Sequence, residues 1–98
     1  MANVARADEW SKLLFNNIYV LRVSAAISNG DVETDSGTLQ RELSLGQTAV
    51  YRVMRTLERV NLLERMERSS RTQPLKYRRV SHPFWDAALE LLSTAEGA

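Results

Sequence analysis

Gln47-Thr-Ala-Val-Tyr-Arg-Val-Met-Arg-Thr-Leu-Glu-Arg-Val60 separates into two faces when it is wound into a helix. At about 100° per residue, Val50, Val53, Met54, Leu57 and Val60 fall within one third of the circle. Thr48, Tyr51, Arg52, Arg55 and Arg59 fall on the opposite side. The first set suits a core. The second turns guanidinium groups, a hydroxyl and a phenol outward.

The flanks of this helix are short and strongly punctuated. Asn61 tolerates a left-handed backbone and can terminate it. Residues 62–67 then fit a strand, 68–73 a polar tip with Pro74 at its far edge, and 75–80 a return strand. Upstream, Asp35 or Ser36 can cap a helix over 38–43. Ser44-Leu45-Gly46 makes a tight turn with one apolar anchor. Val32 and Thr34 can form one brief strand. The first segment, 8–28, is helical in character, with Trp10, Leu13, Leu14, Ile18, Leu21 and Ala25 at three- and four-residue steps. Asn16-Asn17 offers a break within it, and 18–23 fits either a buried helix or a strand. Asn29-Gly30 ends it with residues that accept positive φ. Pro83 opens a last helix, about 83–95, with Phe84, Ala87, Ala88, Leu91 and Leu92 on one stripe and a fraying tail after it. The whole reads as a single domain, 1–98, mainly α with a small β-hairpin.

Charge is distributed unevenly along the chain. Between residues 41 and 80 there are ten cations and four anions, a net of +6, while the remainder holds three cations and eight anions, a net of −5. The total of +1 conceals this dipole. A basic segment that coincides with one helix face and a hairpin suits a polyanion. A two-faced cationic helix followed by a basic hairpin suits the major groove of double-stranded DNA and its adjacent phosphates. The plainer alternative is that these arginines solvate the surface, some of them paired with Glu58, Glu64 and Glu67.

Other classes are disfavoured. The chain has no cysteine, which removes disulfides, thiolate metal sites and thiol-based redox sensing. It has one histidine, His82, which precedes Pro83 and is better placed to cap the last helix than to do chemistry. No glycine-rich phosphate loop is present, and Ser69-Ser70 have no nearby base, so no catalytic residue is assigned. Asp31, Glu33 and Asp35 would hold hard cations only weakly and fit a solvated loop, so neither metal nor cofactor is expected. No apolar run reaches the roughly 20 residues needed to span a bilayer, and the start of the chain lacks the apolar core of a signal peptide. A cytoplasmic protein is expected.

The segment from Leu39 to Arg65 resembles the core of winged helix-turn-helix transcriptional regulators of the ArsR and MarR type. In these families a turn leucine is followed by a helix of small polar residues, a valine, an arginine, paired leucines and a glutamate. Leu45, Thr48, Val50, Arg52, Met54, Leu57, Glu58 and Leu62 occupy those places here. Ser44 stands where a turn glycine is common, Gly46 where a capping serine is common, and Asn61 where a glycine is usual. The resemblance covers about 18–80 and implies a helix-turn-helix at about 38–60, a wing at about 62–80, and dimerising helices at both ends.

Roles follow as expectations. Gln47 can pair with adenine, or can serve only to start the helix. Thr48 can touch a base edge or a thymine methyl, and Arg52 can fork onto guanine O6 and N7. Tyr51 and Arg55 can read bases or hold phosphate, although Tyr51 can instead pack on the turn. Arg59 suits phosphate. Arg68, Ser70, Arg71 and Thr72 at the wing tip, with Lys76, suit the backbone or minor groove. Trp10, Leu14, Phe84, Trp85, Leu89 and Leu92 supply large apolar surface for a homodimer, or else cover the chain's own core. The resulting expectation is a small dimeric DNA-binding regulator, a repressor in sign, with no effector identified. A winged-helix protein-interaction module that uses the terminal helices is the alternative.

Overall fold

The computed structural model describes residues 3–68, 70–73 and 75–97. Ser69, Pro74 and Ala98 lie outside this set, and with them the expected edge of the tip and the last residue of the tail. Among the described residues, five helices and three strands follow in the order α1 (Val4–Phe15), α2 (Val20–Asn29), β1 (Glu33–Asp35), α3 (Ser36–Leu43), α4 (Gln47–Arg59), β2 (Leu63–Arg65), β3 (Lys76–Arg79) and α5 (Phe84–Gly97). The strands form one antiparallel sheet in the order β1-β3-β2. The fold is thus mainly helical with a small sheet. The brief strand expected near Val32 and Thr34 is a full partner of β3, pairing Thr34 with Tyr77. No helix among the described residues is long and apolar enough to cross a membrane.

The break between α1 and α2 is a local invention of the sequence. Asn16 adopts φ 57°, a left-handed conformation that Asn enters more readily than most residues. Ser11, fully buried on α1, then joins the two helices. Its hydroxyl donates to the Asn17 carbonyl at 2.6 Å and accepts the Leu21 amide at 3.0 Å. Asn17 Oδ1 accepts the Tyr19 amide at 2.8 Å. Segment 18–23 therefore enters a helix and not a strand. The break also interrupts the apolar stripe expected along 8–28. Leu13, Leu14 and Ile18 are 77 %, 61 % and 40 % exposed, because residues beyond the kink no longer share a face with those before it.

Two left-handed residues set the boundaries of α4. Ser44, at φ 54°, closes α3 and turns the chain into α4, and Leu45 packs against the core while its amide donates to Gln40 O. Asn61, at φ 64°, ends the helix as expected: Asn61 N donates to Glu58 O, and Leu62 N to Leu57 O. Gly30 needs no such freedom, since its φ of −97° is open to any residue. Asp35 is the cap of α3, with Oδ1 accepting the Thr38 amide at 2.9 Å and Oδ2 the Thr38 hydroxyl at 3.1 Å.

The main core gathers Val20, Val23 and Ile27 from α2, Leu39 from α3, Val50, Val53, Met54 and Leu57 from α4, and Leu63, Tyr77 and Trp85 from the strands and α5. Val60 does not join them. It caps α4 beyond the last turn and is 58 % exposed, so the inward stripe stops at Leu57. A smaller cluster ties α1 to α2 and α5 through Ala7, Leu21 and Ala95, with Trp10, Leu91 and Leu92 around it. Ala95 is fully buried and helical, so α5 continues through the part of the tail expected to fray. A paired Arg22 and Asp8, 2.8 Å apart, clamps α2 to α1 at the edge of this cluster.

Tyr77 was not expected in the core, yet it is 1 % exposed and its hydroxyl has no hydrogen-bond partner among the described residues. Burial raises the phenol above its ordinary value of 10.0, while the nearby Arg65 charge works in the opposite direction. The unfolded chain ionises this group first. The stability gained by keeping it neutral is therefore complete below pH about 10 and is lost as pH rises from there through the folded value. Tyr77→Phe is expected to leave stability near neutrality unchanged or slightly higher, since deleting an unpaired buried hydroxyl removes a cost. It should also flatten the alkaline decline, as checked by urea unfolding of both proteins near neutrality and above pH ~10. Asp35→Ala, which uncaps α3, is expected to cost about 1 kcal/mol in the same assay.

Candidate functional site

α4 positions the candidate residues by burying their neighbours. Val50, Val53 and Met54 have no exposed surface, and this fixes the rotation of the helix about its axis. Gln47, Thr48, Tyr51, Arg52, Arg55 and Arg59 are consequently exposed. Gln47, Thr48, Tyr51, Arg52 and Arg55 line one open, shallow depression, and Arg59 lies beyond it toward the helix end. Tyr51 is 38 % exposed. Gly46 caps α4 without a side-chain hydrogen bond, and Gln47 makes no capping contact.

The arginines of the chain fall into two groups. One group is engaged. Arg22 pairs with Asp8, Arg65 with Glu58 at 3.0 Å, and Arg78 with Glu64 at 2.9 Å. Arg79 turns inward and donates to the carbonyls of Ile27, Ser28 and Gly30, at the C-terminus of α2, where a cation is favoured by the helix dipole. Arg68 donates to Gln73 O at 3.2 Å. In the other group, Arg52, Arg55, Arg59 and Arg71, the guanidinium makes no hydrogen bond or ion pair to any described residue, although the Arg52 carbonyl accepts the Thr56 hydroxyl. In the plainer alternative, Glu58 would pair with its helix neighbours Arg55 or Arg59. It reaches across to β2 instead and leaves them open.

That Glu58–Arg65 contact is one link between α4 and the hairpin, beside the shared core of Leu57 and Leu63. The guanidinium of Arg65 also lies 5.8 Å from the centre of the Tyr77 ring. Hydrogen bonding to Glu58, foremost, raises the Arg65 pKa above its ordinary value. The pair is partly exposed and worth less than about 1 kcal/mol, which makes it a device of orientation more than of stability. Sequence inspection missed it because residues 58 and 65 belong to different elements.

Of the described tip residues, Arg68, Ser70, Arg71 and Thr72 are all exposed. The hydroxyls of Ser70 and Thr72 lie 2.7 Å apart, and Ser70 Oγ accepts the Thr72 amide at 3.1 Å. Ser70 is thus occupied with shaping the turn, and Arg71 is its open cation. Lys76 stands elsewhere. It lines a groove with Asp31, Glu33, Asp35 and Glu42, on the acidic side of the sheet. Lys76 and Arg78 share a strand face, as expected, with Tyr77 and Arg79 on the other.

The terminal-helix residues separate as well. Trp85 is buried at 4 % exposure within the main core and its indole N–H donates to Val80 O at 2.8 Å, so it serves the chain's own packing and offers no surface to a partner. Trp10, Phe84, Leu89 and Leu92 are half-buried, while Leu14 is open. Phe84 stacks edge-on against Phe15 and Trp85. Four of the exposed apolar side chains, Leu13, Leu14, Phe15 and Ile18, lie at the C-terminal end of α1 and just after it, while Val4, Val32, Val60 and Val80 are exposed elsewhere. His82 caps α5 as expected, its Nδ1 accepting the Phe84 amide at 2.9 Å.

Among the described residues, no group of three or more His, Asp or Glu side chains is arranged to hold a metal ion. What the geometry offers is a row of unengaged guanidinium donors, with hydroxyl and amide groups between them, along one rigid helix and a second cationic point on the adjacent hairpin. No protein-family model, curated protein or solved structure matches the chain.

Proposed function

We propose that this chain is a winged helix-turn-helix protein that binds double-stranded DNA specifically, as a homodimer, and regulates transcription as a small repressor. α4 is the recognition helix, lying in the major groove, and the β2–β3 hairpin is the wing, following the backbone or minor groove. The observation that carries this reading is the division among the arginines. Those with a structural task have partners, whereas the guanidinium groups of Arg52, Arg55 and Arg59 on α4 and of Arg71 at the tip have none among the described residues. A charge that folding leaves unengaged beside its own unpaired neighbours is arranged for an external polyanion.

Within this reading Arg52 and Arg55 are base or phosphate contacts near the groove floor, Gln47, Thr48 and Tyr51 complete the base-facing surface, and Arg59 and Arg71 hold phosphate. Arg65 and Arg78 are spent on Glu58 and Glu64, and Lys76 faces the acidic groove, so these three are peripheral. The connectivity supports the assignment too: a helix-turn-helix inserted between β1 and β2, with β3 central, is the skeleton expected of a winged helix. The reading assigns no catalytic role, cofactor or metal.

The apolar patch of Leu13, Leu14, Phe15 and Ile18 favours a protein partner, and a second copy of the chain is the occupant that makes DNA binding bivalent. Twofold symmetry would set two α4 helices about 34 Å apart on one face of the duplex. The same patch supports the second reading, in which it captures a different protein and the basic face is incidental.

Arg52→Ala with Arg55→Ala is expected to abolish specific binding to a site selected from random duplexes, since each base-reading arginine carries about 1–3 kcal/mol. The fold should survive, both residues being exposed. Unchanged affinity in a titration of the double variant would sink the assignment. Leu14→Glu is expected to convert a dimer to a monomer in sedimentation velocity and to lower affinity for a two-half-site duplex. A wild-type chain that sediments as a monomer at micromolar concentration would refute the homodimer.

A further inference from the structure

The exposed face of α4 has relief as well as charge. Thr48, Tyr51, Arg52 and Arg55 stand at positions i, i+3, i+4 and i+7, the four corners of the diamond-shaped hole that a helix presents between its side chains. Gln47 lies at its rim, and the five residues line one concavity. Although its corners include two arginines, its surface is mostly apolar. Long cationic side chains routinely present an apolar stem below a charged head.

The chemistry of the face narrows what this hole can accept. Residues 47–55 contain no carboxylate, and the first acid on the helix, Glu58, is held by Arg65. The strongest acceptor for a cytosine amino group is therefore missing. The guanidinium forks suit guanine O6 and N7. An apolar hole beside them suits the single apolar group on the major-groove edge of DNA, the thymine 5-methyl.

We propose that the Thr48–Tyr51–Arg52–Arg55 hole of α4 seats a thymine methyl group next to a guanine read by one of its arginines. Tyr51 is the specificity-determining side chain of the pair. The inference rests on the DNA-binding reading and adds to it the base step that α4 prefers. Arginine reads the guanine, and the tyrosine ring and the two arginine stems enclose the neighbouring methyl.

The test uses the best duplex selected by the full chain from a random pool. Each thymine is replaced in turn by deoxyuridine, which deletes the methyl and keeps every hydrogen-bonding group. One position per half-site, adjacent to a guanine, is expected to lose affinity about fourfold, the factor that burying one methyl-sized group carries. The loss should vanish in Tyr51→Ala and persist in Tyr51→Phe, which retains the ring. A specific site at which no thymine responds, or a response that Tyr51→Ala leaves intact, would overturn this inference and leave the DNA-binding reading standing. Failure of the wild-type chain to select any site would overturn the DNA-binding reading itself.

Discussion

The burial of one face of α4 is the constraint on which the rest of the structure depends. Val50, Val53, Met54 and Leu57 are shared among the helices before α4, the strands after it and Trp85 of α5 in a single core. Burying large apolar side chains is worth roughly 1.5–3 kcal/mol each, so rotating α4 about its axis would forfeit the main driving force of folding. Because the apolar and cationic positions alternate around the same 13-residue helix, fixing the first set fixes the second. Packing thus determines orientation, and orientation determines which side chains face outward as a rigid array.

Around that axis, the chain uses small polar devices to place its elements. Left-handed Asn16, Ser44 and Asn61 make three of its sharp junctions. Ser11 stitches α1 to α2, Asp35 caps α3, and His82 caps α5. Arg79 satisfies carbonyls at the end of α2, joining the helical layer to the sheet by one guanidinium. Each device satisfies backbone groups that a short helix would otherwise leave open. Their abundance suits a chain of this size, in which no single core is large and each junction counts.

Electrostatic economy links this architecture to the proposed activity. The cations needed for structure are neutralised at home, by Asp8, Glu58 and Glu64 or by carbonyl oxygens. The guanidinium groups of Arg52, Arg55 and Arg59 on α4 and of Arg71 at the hairpin tip are left without partners among the described residues. The Glu58–Arg65 pair has a double consequence. It fastens the hairpin to the helix, and it removes from the exposed face of α4 the one carboxylate that would have quenched Arg55 or Arg59. A polyanion approaching this side would meet guanidinium donors that have no internal counterion to give up.

Helix and strand order, the two faces of α4, the Asn61 terminator, the Asp35 and His82 caps and the basic segment were legible in the sequence by itself. All are local, set by periodicity over a few turns or by a residue's own backbone preference. The tertiary structure decided the rest. It showed that Trp85 and Tyr77 are internal, that Leu13 and Leu14 are external, and that β1 joins the hairpin in one sheet. It also chose the partners of each arginine: Glu58 takes Arg65, seven residues away on another element, in place of the neighbours one helical turn would offer. Hydrophobicity states that a side chain prefers burial, and charge states that it prefers a counterion. Which surface and which counterion are available depends on how distant segments meet, and the kink at Asn16 and the pairing of β1 with β3 settle that meeting in three dimensions.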